Sequence, residues 1–105
     1  MSLSNKEIVI TAATRTPIGT FCGTFKNLEA HALGAIVIDS LLKKSELKPT
    51  EVDELIMGQV LTGGAGQNPA RQAAMKAKIP FEKTAYVINQ VCGSGLRSVV
   101  AAYQS

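Results

Sequence analysis

The sequence predicts an α/β protein in which a mainly parallel sheet is covered by helices. Short apolar runs of strand length alternate with longer stretches of helical periodicity, in the order β-α-β-α-β-α. Hydrophobic residues make up 46% of the 105 positions, which argues against disorder, and plentiful small residues suit close packing of helices on a sheet. Parallel strands place the loops that follow them at one sheet edge, where open α/β sheets bind ligands.

The first half of the chain predicts a strand, a loop and a crossover helix. Residues 7–14 have apolar positions on both faces, as in a parallel strand covered from both sides. The Gly- and Thr-rich residues 15–27 predict a loop. Residues 28–44 predict a helix with lysines favourably near its C-terminal end. The predicted apolar stripe of this helix consists of Leu33, Ile36, Val37, Leu41 and Lys44.

The middle of the chain predicts a second strand and a second helix. Residues 49–53 predict one helical turn, and residues 54–61 a strand in which Gly58 indicates close backbone packing. A flexible loop follows. Asn68 and Pro69 then predict the N-cap and the first position of a helix that ends before the next proline.

The third predicted strand, residues 85–89, leads through Cys92 into a final helix. A sulfur on that turn lies beside unpaired N–H groups and the positive end of the helix dipole, both of which favour the thiolate. Gly93 and Gly95 leave room for a ligand. The pattern indicates a nucleophile, and the alternative is a small buried hydrophobe. Because Ser105 lies within the predicted helix without a capping glycine, we expect residues 1–105 to be one incomplete domain.

Charge and cysteine content argue against several classes of function. Eleven basic and eight acidic residues give a net charge of +3 without a long basic run, which is a poor pattern for a nucleic-acid partner. The mild positive balance suits an anionic small molecule such as a nucleotide-bearing thioester, and equally a solvated surface. Cys22 and Cys92 have neither disulfide nor metal-ligand spacing, so we expect no metal and a reducing, cytoplasmic setting. No segment has the length of a membrane span, and we expect no membrane partner.

The other candidate motifs and residues give weaker evidence of a catalytic or binding role. The glycine-rich loops near residues 64 and 94 complete neither a dinucleotide fingerprint nor a P-loop. Cys92 lacks the flanking glycines of a nucleophile elbow. The glycines of the two loops are therefore predicted to serve turns and packing. His31, the only histidine, could serve as a base for Cys92 only if the fold brought the two together. The basic candidates are Arg15, Arg71 and Arg97. The first could face a ligand or form a salt bridge or cap. The other two oppose a helix dipole and need a partner, such as a carboxylate across an oligomer interface or an anionic ligand.

Three segments resemble the thiolase family. Residues 88–97 (INQVCGSGLR) are similar to the nucleophile segment of that family, and the similarity extends to residues 14–19 (TRTPIG) and 63–72 (GGAGQNPARQ). The three segments lie in the family's order, and the resemblance covers essentially the whole chain. The form NQVCGSG is closer to the biosynthetic acetyl-CoA acetyltransferases than to the degradative long-chain thiolases. Lys78 departs from the pattern, because glycine is expected after the second helix.

The resemblance implies the thiolase fold, two similar α/β halves of which this chain is most of the first. It implies that thiolate Cys92 takes the acetyl group of one acetyl-CoA, and that the carbanion of a second acetyl-CoA attacks this S-acetyl group to give acetoacetyl-CoA, reversibly. The backbone N–H of Cys92 is the candidate oxyanion donor. CoA thioesters would be the substrates, with no permanently bound cofactor, and the assembly would be a homo-oligomer, either a dimer or a tetramer.

The resemblance also implies which residues this chain lacks. The family's histidine in a Gly-His-Pro motif, its asparagine in an Asn-Glu segment, its second cysteine in a Cys-x-Gly-Gly-Gly segment and its CoA-binding loop match nothing in these residues, including His31 and Cys22. We therefore expect the isolated chain to be inactive, and unstable through an exposed apolar helix face. The alternatives are another thiolase-fold condensing enzyme, a non-catalytic lipid-binding or scaffold relative, and a redox-sensing thiol.

Overall fold

The computed structural model describes residues 6–105, in which three helices flank a pair of parallel strands. The elements are α1 (Ala30–Ser45), β1 (Glu54–Gly58), α2 (Pro69–Lys76), β2 (Thr84–Ile88) and α3 (Ser94–Gln104), with a 3-10 turn at Pro49–Glu51. β1 and β2 are in register from the Glu54–Thr84 pair to the Gly58–Ile88 pair. The predicted α/β class, its parallel sheet and the short helical turn before β1 are therefore confirmed.

The two faces of the sheet carry different helices. Leu55 and Met57 of β1 pack against a core cluster that α1 and α2 share, and in that cluster Ala73 and Ala74 are almost fully buried. Because side chains alternate along a strand, Gly58 faces the opposite side, where α3 packs against β1. α2 forms the crossover that joins the two parallel strands. The carboxyl end of β2 thus runs directly into the turn before α3.

The first helix forms as predicted, but the predicted stripe is not its most buried face, because Leu33, Val37 and Leu41 are only half-buried. The residues of α1 that are buried are His31, Gly34, Ile38 and Leu42. Ile36, from the predicted stripe, is instead 58% exposed. The reason is close packing at Gly34, where an added Cβ would lie 2.7 Å from Met57 Cε and 3.4 Å from Ala73 Cβ. Only a face with a residue this small lets α1 approach β1 and α2, and the apolar pattern of α1 offers more than one candidate face.

The start of α2 follows its sequence signals. Asn68 is the N-cap, its Oδ1 accepts from Arg71 N–H (3.2 Å), and Pro69 is the first helical residue. Asn68 also donates from Nδ2 to Ala85 O (2.9 Å), which ties the helix start to β2. The Arg71 guanidinium donates to the backbone carbonyl oxygens of Lys83 (2.8 Å) and Phe81 (2.7 Å). The interaction partner that was expected for Arg71, because it opposes the helix dipole, is therefore the backbone of the loop before β2.

The strand predicted over residues 7–14 does not form among the described residues. This segment has no ladder to β1 or β2, and Ile8, Val9 and Ile10 are exposed at 59%, 68% and 82%. It is held by side-chain contacts to the end of α1, through Lys44 Nζ to Ala13 O (3.2 Å) and Thr11 Oγ1 to Ser45 Oγ (3.0 Å). A buried parallel strand needs cover on both faces. Here a cavity of about 370 Å³ separates residues 8–10 from α3.

Candidate active site

Cys92 lies on the turn between β2 and α3, as the sequence predicts. β2 ends at Ile88, α3 begins at Ser94 with Gly93 as its N-cap residue, and the free thiol of Cys92 is exposed. Within residues 6–105, Cys92 is therefore not the small buried hydrophobic residue of the alternative interpretation. Among residues 6–105, no acceptor is found for the backbone N–H of Cys92. An exposed thiol and an unused amide donor thus share one residue.

The turn around Cys92 is braced by two polar side chains. Asn89 accepts from Val91 N–H at Oδ1 (3.0 Å) and donates from Nδ2 to Val60 O (3.1 Å). Ser94 Oγ accepts from Gln90 N–H (2.8 Å) and donates to Val91 O (2.6 Å). The backbone adds bonds from Gly93 N–H to Gln90 O (3.0 Å) and from Ser94 N–H to Val91 O (3.1 Å). Asn89 and Ser94 are not among the site residues predicted from the sequence. Their position within the Cys92 motif is the only signal that could have found them.

Val91, the residue before Cys92, has a left-handed backbone with φ of +49°. A β-branched residue is a rare occupant of this region, because its side chain crowds the neighbouring backbone there. Its side chain is 65% exposed. Burial of Val91 therefore offsets little of the strain of this conformation.

Glycines control the space around the turn. An added Cβ at Gly58 would lie 2.4 Å from the backbone carbon of Ser94, so only glycine lets β1 and the start of α3 pack this closely. At Gly95 an added Cβ would meet nothing within 4 Å, and at Gly93 it would lie 3.4 Å from Gln90. The predicted close packing at Gly58 is confirmed, whereas the room for a ligand at Gly93 and Gly95 stays a prediction.

His31 does not share a cavity with Cys92. Its imidazole is buried (6% exposed), and Nε2 lies against the carboxylate of Glu29. His31 lines a cavity of about 220 Å³ with Gln59 and the loop at residues 63–65, and Cys92 is not part of that lining. Gly64 and Gly66 in the neighbouring loop have φ near +78°, which agrees with the predicted turn role. None of these contacts of His31 involves Cys92.

The remaining candidates of the sequence analysis are exposed. Arg15 donates to Thr16 O (3.2 Å), Arg97 lies on the surface of α3, and Cys22 is a free thiol in the loop before α1. Within residues 6–105 there is no group of three or more His, Cys, Asp or Glu side chains that could hold a metal ion. In the same part of the chain, no helix is both long and apolar enough to cross a membrane.

Comparison with known proteins identifies the family. The family model for the thiolase N-terminal domain matches residues 8–105. The chain is 57% identical over 98 residues to acetyl-CoA acetyltransferase of Paracoccus denitrificans, covering 93% of this chain and 25% of the relative. It is 56% identical over 102 residues to acetyl-CoA acetyltransferase of Rhizobium meliloti (strain 1021), covering 97% and 26%.

The chain thus spans about a quarter of the length of these relatives. The matched residues contain both strands, all three described helices and the Cys92 turn. The chain therefore belongs to the thiolase family, through the N-terminal domain of that family.

Proposed function

We propose that this chain is part of an acetyl-CoA C-acetyltransferase whose nucleophile is Cys92. The observation that carries the proposal is the placement of an exposed, free thiol on the turn between β2 and α3 of a thiolase N-terminal domain. Two relatives with more than half of the aligned residues identical are named acetyl-CoA acetyltransferase. A nucleophile must be reached by its substrate, and the open space at Gly95 and the exposure of Cys92 provide that access.

The first proposed step is transfer of an acetyl group to Cys92. The thiolate Sγ attacks the thioester carbonyl carbon of acetyl-CoA, an S–C bond forms, and the bond from that carbon to the CoA sulfur breaks. CoA leaves as a thiolate and takes up a proton. The carbonyl oxygen carries negative charge in the tetrahedral intermediate, and the proposed donor to it is the backbone N–H of Cys92, which has no acceptor among residues 6–105.

The second proposed step forms the carbon–carbon bond. A base removes a proton from the methyl carbon of a second acetyl-CoA, and the carbanion attacks the acetyl carbonyl on Cys92. Acetoacetyl-CoA is released and Cys92 returns as a thiolate. His31 lines a separate cavity, so we propose that the base and the acid that completes the cycle come from chain outside these residues.

We further propose that residues 1–105 are an incomplete N-terminal domain and are inactive alone. The support is the quarter-length match to the relatives and the apolar residues exposed on α3, such as Leu96 (73%), Val99 (55%) and Tyr103 (64%). The active form is proposed to be a cytoplasmic homo-oligomer, a dimer or a tetramer, with CoA thioesters as substrates and no resident cofactor.

The proposal is tested by mapping the acyl group. The longest natural form of this chain is incubated with acetyl-CoA, quenched in acid, and its peptides are analysed by mass spectrometry. We expect a mass increase of one acetyl group on the peptide that contains Cys92, reversed by added CoA, and none on the peptide that contains Cys22. Cys92→Ser is expected to abolish the adduct and Cys22→Ser to leave it unchanged.

An absence of any adduct on the folded wild-type protein would overturn the acyl-transfer assignment. Rapid peroxide oxidation of Cys92 without acylation would instead support a redox-sensing thiol. A cellular function that survives Cys92→Ser would support the lipid-binding or scaffold alternative. Acylation from a carrier protein but not from acetyl-CoA would support another condensing enzyme of this fold.

A further inference from the structure

We propose that Asn89 and Ser94 are positioning residues that hold Val91 in its left-handed conformation and thereby set the direction of the Cys92 thiol. The inference rests on the proposed function of Cys92 as nucleophile. Neither side chain needs to touch the substrate. Their action is on the backbone of the residue immediately before the nucleophile.

The conformation of Val91 needs external support. A β-branched residue at φ +49° is strained, and strain of this kind persists only where the surrounding structure imposes it. Burial of the side chain does not impose it, because the side chain is 65% exposed. The support must therefore come from bonds to the backbone of Val91.

The two polar side chains supply bonds on both sides of the residue, and Ser94 N–H adds a backbone bond to Val91 O (3.1 Å). Asn89 Oδ1 accepts from Val91 N–H at 3.0 Å, and Ser94 Oγ donates to Val91 O at 2.6 Å. Together they fix both peptide groups that flank the Val91 Cα. Ser94 Oγ also accepts from Gln90 N–H, so one hydroxyl connects the start of the turn with its end.

Both bracing residues are themselves anchored to β1 and the chain that follows it. Ser94 is 4% exposed and its backbone packs against Gly58, while Asn89 Nδ2 donates to Val60 O at 3.1 Å. Hydrogen bonds and packing to a rigid neighbour are what hold a reactive group in a productive geometry. The sheet thus fixes the backbone of Val91 through Asn89 and Ser94, and the backbone of Val91 sets the direction of the Cys92 side chain.

The test measures the rate constant of Cys92 acylation by acetyl-CoA, per titratable Cys92, in the longest natural form of this chain. Ser94→Ala and Asn89→Ala are each expected to lower this rate constant by about 10- to 100-fold, because a displacement near 1 Å has effects of that order. Iodoacetamide should alkylate Cys92 at a rate near that of the wild type, since alkylation by a small reagent requires no fixed direction. The matched control is Ser98→Ala, one turn further along α3, which removes a hydroxyl bonded to Gly95 O (2.6 Å) and is expected to retain the wild-type rate.

Two further variants separate positioning from general stability. Asn89→Asp keeps an oxygen that accepts from Val91 N–H but loses the Nδ2 donor to Val60 O, so it should recover part of the rate lost in Asn89→Ala. Val91→Gly removes the strain, because glycine adopts positive φ without steric cost. In the Val91→Gly background, Ser94→Ala should therefore cause a smaller loss of rate than in the wild type. A general loss of stability would give equal losses in both backgrounds.

The result that would overturn the inference is a wild-type acylation rate in Ser94→Ala and Asn89→Ala. Equal losses with and without Val91→Gly would also overturn it. A wild-type protein that forms no acetyl adduct contradicts the proposed function itself, so the two failures are distinguishable. If Ser94→Ala does not fold, as judged by circular dichroism, the comparison of Asn89→Asp with Asn89→Ala decides the question.

Discussion

Replacement of Gly58 by alanine should damage both the stability of the protein and the Cys92 turn. The added Cβ would lie 2.4 Å from Ser94 C, 2.5 Å from Ser94 O and 2.6 Å from Gly95 N. All three are backbone atoms, so no side-chain rotation relieves the overlap. The shortest ordinary contact is 3.4 Å, and β1 and the start of α3 must therefore separate by about 1 Å.

The expected magnitudes follow from that displacement. Overpacking of this kind costs about 1–3 kcal/mol of unfolding free energy, and we expect the upper part of the range because only backbone atoms are involved. The displaced segment leads into the Cys92 turn through Ser94. A misplacement of about 1 Å lowers a reaction rate by roughly 100-fold, and we expect the acylation rate of Cys92 to fall by this order.

The assay compares Gly58→Ala with Gly63→Ala by urea denaturation and by Cys92 acylation. Gly63 is the matched control, because an added Cβ there meets nothing within 4 Å and its φ is not positive. Gly63→Ala is expected to leave both quantities near the wild-type values. Equal stability and equal acylation rates for the two variants would refute the packing argument.

The remaining predictions concern α2 and are read as urea midpoints in the same protein. Lys78→Gly should stabilise the fold by about 0.5–1 kcal/mol, because Lys78 lies just beyond the C-cap of α2 with φ of +63°. Lys76→Gly, in the last turn of α2, should destabilise the fold by about 1 kcal/mol. A loss of stability with Lys78→Gly would contradict this reasoning. Asn68→Ala should lower the free energy of unfolding by about 2 kcal/mol, through the lost cap and the strained φ of +41°. Asn68→Gly should lower it by less, because glycine tolerates that φ. Equal losses for the two variants would show that strain plays no part. Arg71→Met should cost about 2–3 kcal/mol through its two bonds to the loop before β2, and an unchanged midpoint would contradict the bracing of that loop.

Local signals in the sequence predict the second half of the fold well. Asn68 followed by Pro69 marks the start of α2 because the cap and the proline act within one helical turn. Cys92 lies on the predicted turn because the change from strand to helical spacing is also local. The departure of Lys78 from the expected glycine likewise corresponds to a left-handed backbone.

Features that depend on distant contacts could not be predicted in the same way. The apolar pattern of residues 7–14 describes a covered strand, but pairing and cover come from other elements, and this segment has neither here. The buried face of α1 is selected by the contact of Gly34 with Met57, which its helical periodicity does not reveal. The bracing of Val91 by Asn89 and Ser94 likewise requires the path of the turn in three dimensions.

The central claim, that Cys92 exchanges acyl groups with CoA, is tested most directly by isotope exchange. The longest natural form of this chain is incubated with unlabelled acetyl-CoA and labelled CoA, and label entering acetyl-CoA is followed over time. Our account predicts rapid exchange in the wild type and in Cys22→Ser, and none above background in Cys92→Ser. Exchange that persists in Cys92→Ser, or a folded wild-type protein without exchange, would contradict it.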